Sequence, residues 1–333
     1  MFSKKMMITV LLSLALSVFF AGIAFSAPKY TIKVGTIVSE THPDYITLRD
    51  VFKKKIEANS KGAIKVELYP NGQLGSDREM IESLQLGTLT MALPSSSALA
   101  GFEKKFQVLD LPYLFKSKAV AYKALDGELG KTLDALLPKH GMVNLGYFEN
   151  GFRHVTNIRK PIHVPADMKG LKIRTQENPM HIAFFKQIGA NPTPMNYGEV
   201  YTALQQGTID AQENPIAIVF DGKFFEVQKY YSLTGHVFSA IMLVANKPFM
   251  DKLPKDMHAI VLKAAKDFVV ENRKAVDKVE GTALATMKKA GLKVNTLSAA
   301  EKDQFIKAAV PIYSQFEGIL GKDLIEMAKK ANN

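Results

Sequence analysis

The alternation of apolar and polar positions sets out most of the chain before composition adds anything. Residues 30–37 put Ile32, Val34 and Thr36 on one side and Thr31 and Lys33 on the other, the period of a strand. Pro43 and Asp44 open a helix running to about Asn59, with Tyr45, Leu48, Phe52 and Ile56 on one face. A second strand over 64–69 and a turn-rich stretch over 70–75 lead to Ser76, which forms a capping box with Glu79. Gly87 ends that helix, and 89–93 reads as a third strand. Strand, helix, strand, helix, strand predicts a mostly parallel sheet in an α/β lobe.

Residues 142–148 and 152–155 read as strands separated by 149–151, where the chain is expected to cross into a second lobe. Residues 171–175 give a strand of that lobe, and 238–246 a strand returning to the first. After Pro254 the segment to residue 290 has no Pro and a single Gly, Gly281, while Ile260, Ala264, Phe268, Val276 and Leu284 recur at helical spacing. This predicts one long helix, kinked at Gly281, able to brace both lobes. A late strand at 293–297 and a helix over 299–328, broken near Pro311, complete the reading. The expected architecture is two-lobed α/β. Lobe I comprises 27–150 plus about 240–280, and lobe II 151–239 plus about 281–333.

The first 26 residues have the pattern of an export signal. Lys4 and Lys5 precede an uncharged run, and Ala24 and Ser26 supply small residues for cleavage before Ala27. An uncleaved membrane anchor is the rival, since the run is long enough to span a bilayer. The remainder is long enough for two lobes around separate cores.

Net charge is +11, falling to +9 once Lys4 and Lys5 leave with the leader. That field attracts anions. Nucleic acid is not the expected anion, because no basic run exceeds Lys53–Lys55 and no nucleic-acid-reading motif is present. The absence of Cys excludes disulfides, thiolate metal sites and thiol nucleophiles. Residues 127–132 end like a P-loop, but Leu125 stands where the first Gly is required. The seven His contain no i, i+4 pair, and no G-x-S-x-G occurs. No enzyme, cofactor or metal site is therefore expected.

Arg174 lies in the middle of the apolar run 171–175, where a guanidinium is costly unless an anion meets it. It either pairs with a structural acid, Glu177 or Glu213, or receives a ligand carboxylate with the Asn214 amide close by. Ligands of open α/β sheets sit beyond the carboxyl ends of the strands. The first-lobe loops there offer His42, Gln73, Asp77, Ser95, Ser96 and Ser97. Each also has a plain reading, as a turn residue, a first-turn helix acid or a polar loop.

Gly151 to Asn157 (GFRHVTN), Gly170 to Arg174 (GLKIR), Pro192 to Pro215 (PTPMNYGEVYTALQQGTIDAQENP), Asn71 to Gly75 and Asp110 to Phe115 together resemble the solute-binding proteins of TRAP (tripartite ATP-independent periplasmic) transporters. The resemblance spans about Tyr30 to Ala328. It implies a Venus-flytrap fold with a ligand cleft between the lobes. It implies that Arg174 makes a two-point salt bridge to a ligand carboxylate, a fork that Lys cannot reproduce. Arg153 and Asn214 would contact the same carboxylate, and Tyr197 would line the pocket. His236 stands where sialate-binding members also carry His, and Asp77 matches a polar position of the first lobe. Ser95 and Ala98 replace the Glu and Arg of sialate binders, and Glu177 replaces a neutral amide, which argues against sialate.

The resemblance further implies a monomeric periplasmic protein that binds a carboxylate and delivers it to a membrane permease driven by an ion gradient. Family ligands include C4-dicarboxylates, keto acids, sugar acids and aromatic acids. Asp77 would repel a second carboxylate yet accept hydrogen bonds from hydroxyls, favouring a sugar acid such as a hexuronate, whereas a protonated His42 could meet a second carboxylate. A periplasmic enzyme and a membrane-anchored sensor on a similar scaffold are the alternatives.

Overall fold

The computed structural model describes residues 27–332, so the expected leader lies outside the described residues. One nine-stranded sheet runs through the molecule in the order β2-β1-β3-β8-β4-β7-β5-β6, with β9 also on β8. Its strands are β1 (Tyr30–Gly35), β2 (Ile64–Tyr69), β3 (Met91–Ala92), β4 (Met142–Asn157), β5 (Lys172–Thr175), β6 (Asn191–Pro194), β7 (Ala211–Asn214), β8 (Tyr230–Asn246) and β9 (Lys293–Thr296). The first flank is parallel, β1 pairing with β2 and β3, and so is the far flank, β5 pairing with β6 and β7. The centre is antiparallel: β4 runs against β8 from Met142↔Asn246 to Asn157↔Tyr230. The parallel order expected of the first lobe holds for β1, β2 and β3, and the antiparallel centre joins that lobe to the rest.

The expected interruption at 149–151 is not a break. Strand β4 is continuous over 16 residues and β8 over 17, so both pass through the two halves of the molecule. What the sequence registered as a gap is a set of register shifts, at Asn144/Tyr147, Glu149/Gly151 and Arg153/Val155. Gly151 holds φ at +118°, and a Cβ there would lie 3.0 Å from Glu280 Oε1 and 3.1 Å from the Pro215 Cβ. Only Gly fits both the backbone angle and that close approach.

Helices flank the sheet: α1 (residues 43–59, π-helical over Leu48–Lys53), α2 (Asp77–Leu86), α3 (Lys118–Leu125), α4 (Pro179–Gln187), α5 (Ile216–Asp221), α6 (Lys255–Lys289) and α7 (Ala299–Leu320). Helix α2 starts at the predicted capping box of Ser76 and Glu79 and stops at Gly87, φ +74°. Helix α6 buries Val261 and Phe268 in the core of the first half with Ile32, Phe52 and Val66. Its later residues Ala283 and Met287 join the core of the second half with Val200, Leu204 and Val219. The long helix thus braces both cores, and it passes Gly281 without interruption. Helix α7 likewise runs through the exposed Pro311 and ends at Gly321, φ +82°. A Pro removes one N–H donor, and the buried stripe Phe305, Ala309, Ile312 and Phe316 holds the helix on either side.

Candidate functional site

Between the two halves lies a cavity of about 450 Å³, within the roughly 300–1,000 Å³ usual for small-molecule clefts. Of the residues singled out from sequence, Arg153, Arg174, Tyr197, Asn214, Asp77 and Ser95 line it. His42, Gln73, Ser96 and His236 do not.

Two buried guanidiniums reach the cavity in different states. Arg153, on β4, is fully buried and forks onto Glu213 through Nε and Nη2, the latter at 2.7 Å from Oε1. Nη2 also donates to Asn214 Oδ1 at 3.0 Å. The antiparallel register of β4 and β7, His154 opposite Asn214 and Val155 opposite Glu213, brings these groups together. Arg174, on β5, is also buried, but its Nε and Nη2 both donate to the Met195 carbonyl, at 2.9 and 2.7 Å. Among the described residues no carboxylate lies within ion-pair distance of it. Burial, with Arg153 nearby, lowers its pKa to about 10, so it stays charged at neutral pH.

Glu213 is the hub behind the cleft. His236 Nε2 lies 3.1 Å from its Oε2 and His181 Nδ1 3.7 Å from Oε1. Burial alone would raise its carboxyl; Arg153 and the two imidazoles instead hold it well below the usual range. His181 also contacts Asp110 Oδ1 at 3.0 Å, and Asn178 Nδ2 and Ser97 Oγ donate to the same carboxylate. Against the penalty of burial, Asp110 and Glu213 push the His181 imidazole up to about 9. His236 therefore serves the buried network and does not face the cavity.

On the first half, Asp77 begins α2 and its Oδ2 accepts the Ser95 N–H at 3.1 Å, while Oδ1 is buried with no partner. Burial raises its carboxyl to about 6 against the opposing pull of that hydrogen bond and of Arg174. Ser95 caps the short helix Ser96–Leu99, and Ser96 is buried inside it. His42 caps α1, accepting the Asp44 N–H at 3.2 Å. The turn at 71–75 meets the cavity through Asn71, Gly72 and Gly75, leaving Gln73 aside.

Asn150 and Gln176 line the cavity too, each with a buried, unpartnered amide oxygen. Gln176 had a sequence signal, lying two residues beyond Arg174 and so on the same face of an extended chain. Asn150 had none, because the shifts in β4 scramble the alternation there. A contact between the two halves was equally hidden. Asp221, at the end of α5, accepts from the Ser39 N–H at 3.2 Å, from the Ser39 hydroxyl, and from the Thr41 hydroxyl at 3.4 Å. Beside it Val38, from the loop after β1, is buried in the core of the second half. Away from the cavity, the carboxylates of Glu149, Asp277 and Glu280 converge, with the Lys118 ammonium of α3 at 2.5, 2.7 and 2.5 Å filling the cation position.

Comparison with known proteins places this geometry among relatives. The sequence profile of the bacterial extracellular solute-binding proteins, family 7 (DctP), matches residues 34–318. The 2,3-diketo-L-gulonate-binding periplasmic protein YiaO of Escherichia coli (strain K12) is 40% identical over 288 residues, covering 85% of this chain and 88% of that protein. A TRAP periplasmic solute-binding protein from Sulfurospirillum deleyianum, solved with bound succinate, superposes with TM-score 0.87 at 36% identity, covering 91% of this chain and 99% of the other. A sugar-acid-binding protein from Advenella mimigardefordensis, solved with galactonate, gives 0.88 at 34% identity, covering 92% and 100%.

Proposed function

The chain belongs to the bacterial extracellular solute-binding proteins of family 7, and from that premise we propose that its cleft captures an organic acid anion in the periplasm and delivers it to a TRAP membrane permease. The observation that carries the reading is Arg174: a buried guanidinium on the cavity wall whose own hydrogen bonds go to a backbone carbonyl. Buried charges are ordinarily paired, and a ligand carboxylate supplies the missing partner. Succinate in one neighbour and galactonate in another are acids that such a group would hold. Asn214, Arg153 and Tyr197 complete that wall, Asp77 and Ser95 the opposite one. The lobes divide at about residues 150 and 240, with α6 across both. Capture and release complete the task, so the reading assigns the chain no catalysis.

Calorimetry with galactonate, succinate and 2,3-diketogulonate tests the assignment. At least one should bind, and Arg174→Lys should weaken that binding more than tenfold while leaving the fold intact, since an ammonium keeps the charge but loses one arm of the fork, and a hydrogen bond to a charged group is worth about 1.5–3 kcal/mol. Undiminished affinity in the variant would make Arg174 a structural residue. Export with removal of the first 26 residues is part of the same reading. Intact mass of periplasmic material should begin at Ala27, and a major species retaining Met1 would contradict it.

A further inference from the structure

We infer that the ligand is a polyhydroxylated monocarboxylate, an aldonate or uronate and not a dicarboxylate, selected by Asp77, Asn150 and Gln176 as acceptors for its hydroxyl groups. The inference rests on the organic-anion reading of the cleft and goes further on two observations.

The first is the supply of cations. Among the described residues, the basic side chains lining the cavity are Arg78, Arg153 and Arg174. Arg153 is already neutralised by Glu213. Arg78 stands at the mouth, 60% exposed and bonded to Glu82 at 3.1 Å. Arg174 alone is both buried and without a carboxylate, so the cavity has one deep place for one anionic group. A second carboxylate would lie on a wall that carries Asp44 and Asp77.

The second is the direction of the unused hydrogen bonds. Among the described residues, the cavity-lining groups buried without a partner are Asp77 Oδ1, Asn150 Oδ1, Gln176 Oε1 and the Tyr197 hydroxyl; the first three are acceptors, and Tyr197 is the one that can donate. The Asn150 amide nitrogen is spent on Ser239 Oγ at 3.2 Å, which leaves its oxygen to the cavity. An ionised carboxyl such as Asp77 can only accept. A succinate dianion brings no proton to any of them, whereas each hydroxyl of a sugar acid brings one. Buried polar groups left unmatched penalise the analogue that lacks the complementary group far more than an apolar wall penalises a missing methylene. The acceptors occupy the first half, the crossing strand and the second half in turn, so a chain of hydroxyls leading away from a carboxylate on Arg174 meets one acceptor from each.

The test is calorimetry of galactonate, glucuronate and succinate against the wild-type protein, Asp77→Asn, Gln176→Leu and Arg174→Lys, with thermal melts to confirm folding. At least one hydroxylated acid should bind about a hundredfold or more tighter than succinate. Asp77→Asn and Gln176→Leu should each weaken that acid about tenfold or more, and Asp77→Asn should leave succinate unchanged or improved. Succinate binding as tightly as the hydroxylated acids, or hydroxylated acids insensitive to both substitutions, would overturn the inference. If succinate binds tightly and Arg174→Lys abolishes it, this inference fails while the organic-anion reading stands. If none of the three acids binds, and 2,3-diketogulonate does not bind either, both fail.

Discussion

Two arginines of one cavity, Arg153 and Arg174, show where sequence reading at the residue scale stops. Arg174 was legible as a cation needing a partner, and Glu213 was a fair candidate for it. Strand register decides otherwise: β4 and β7 hand Glu213 to Arg153 and leave Arg174 without an acid. Register between strands sixty residues apart leaves no local trace, so the assignment could not be made from the chain alone. Asp77 carries an electrostatic cost of burial. Its folded pKa of about 6 lies above the ordinary 3.8. The native state therefore prefers the protonated acid, and that contribution is present below pH 3.8 and lost as pH rises to 6. Ligand-free Asp77→Asn should accordingly melt a few degrees higher than wild type at pH 7.5, for a relief of about 3 kcal/mol. The gap should close toward pH 4. An equal gap at both pH values would mean that ionisation of Asp77 is not what is being relieved.

At the scale of elements, periodic segments were read well and irregular ones were not. The alternation of β1, the capping box of α2 and the apolar stripe of α6 are local patterns, and each gives the element it predicts. The join at 149–151 was misread because a bulged strand and a broken strand look alike when only alternation is available. Pro311 and Gly281 were overweighted as breakers, since packing on both sides outweighs a single lost donor or a flexible residue. The loop after β1 and the end of α5 form a pair that no local pattern announces. Three donors from Ser39 and Thr41 converge on the Asp221 carboxylate and tie the first half to the second. Asp221→Ala should release ligand about tenfold faster with little change in association, because hydrogen bonds to a charged group are worth about 1.5–3 kcal/mol each and contacts formed after encounter act on the off-rate. Stopped-flow dissociation measures this. An unaltered off-rate would reduce the contact to an incidental one.

For the whole molecule, two lobes and a bracing helix were recoverable from element order and a family likeness. That one sheet runs through both lobes was not, since it depends on β4 and β8 extending to 16 and 17 residues, well past the segments 142–148 and 238–246 whose pattern reads as strand. Because Arg174 has no counter-ion of its own among the described residues, the outline of this protein can carry information about its contents. A cleft that shuts without an anion drags an uncompensated guanidinium into a dry space, at a cost of about 3–5 kcal/mol, or roughly two to four orders of magnitude in population. One that shuts around an anion escapes that cost. A receptor that inspects only the outer contour would thereby learn whether a parcel is inside, and the sign of its charge, without opening it. Fidelity of delivery would then be written into electrostatics, at a residue the receptor never touches.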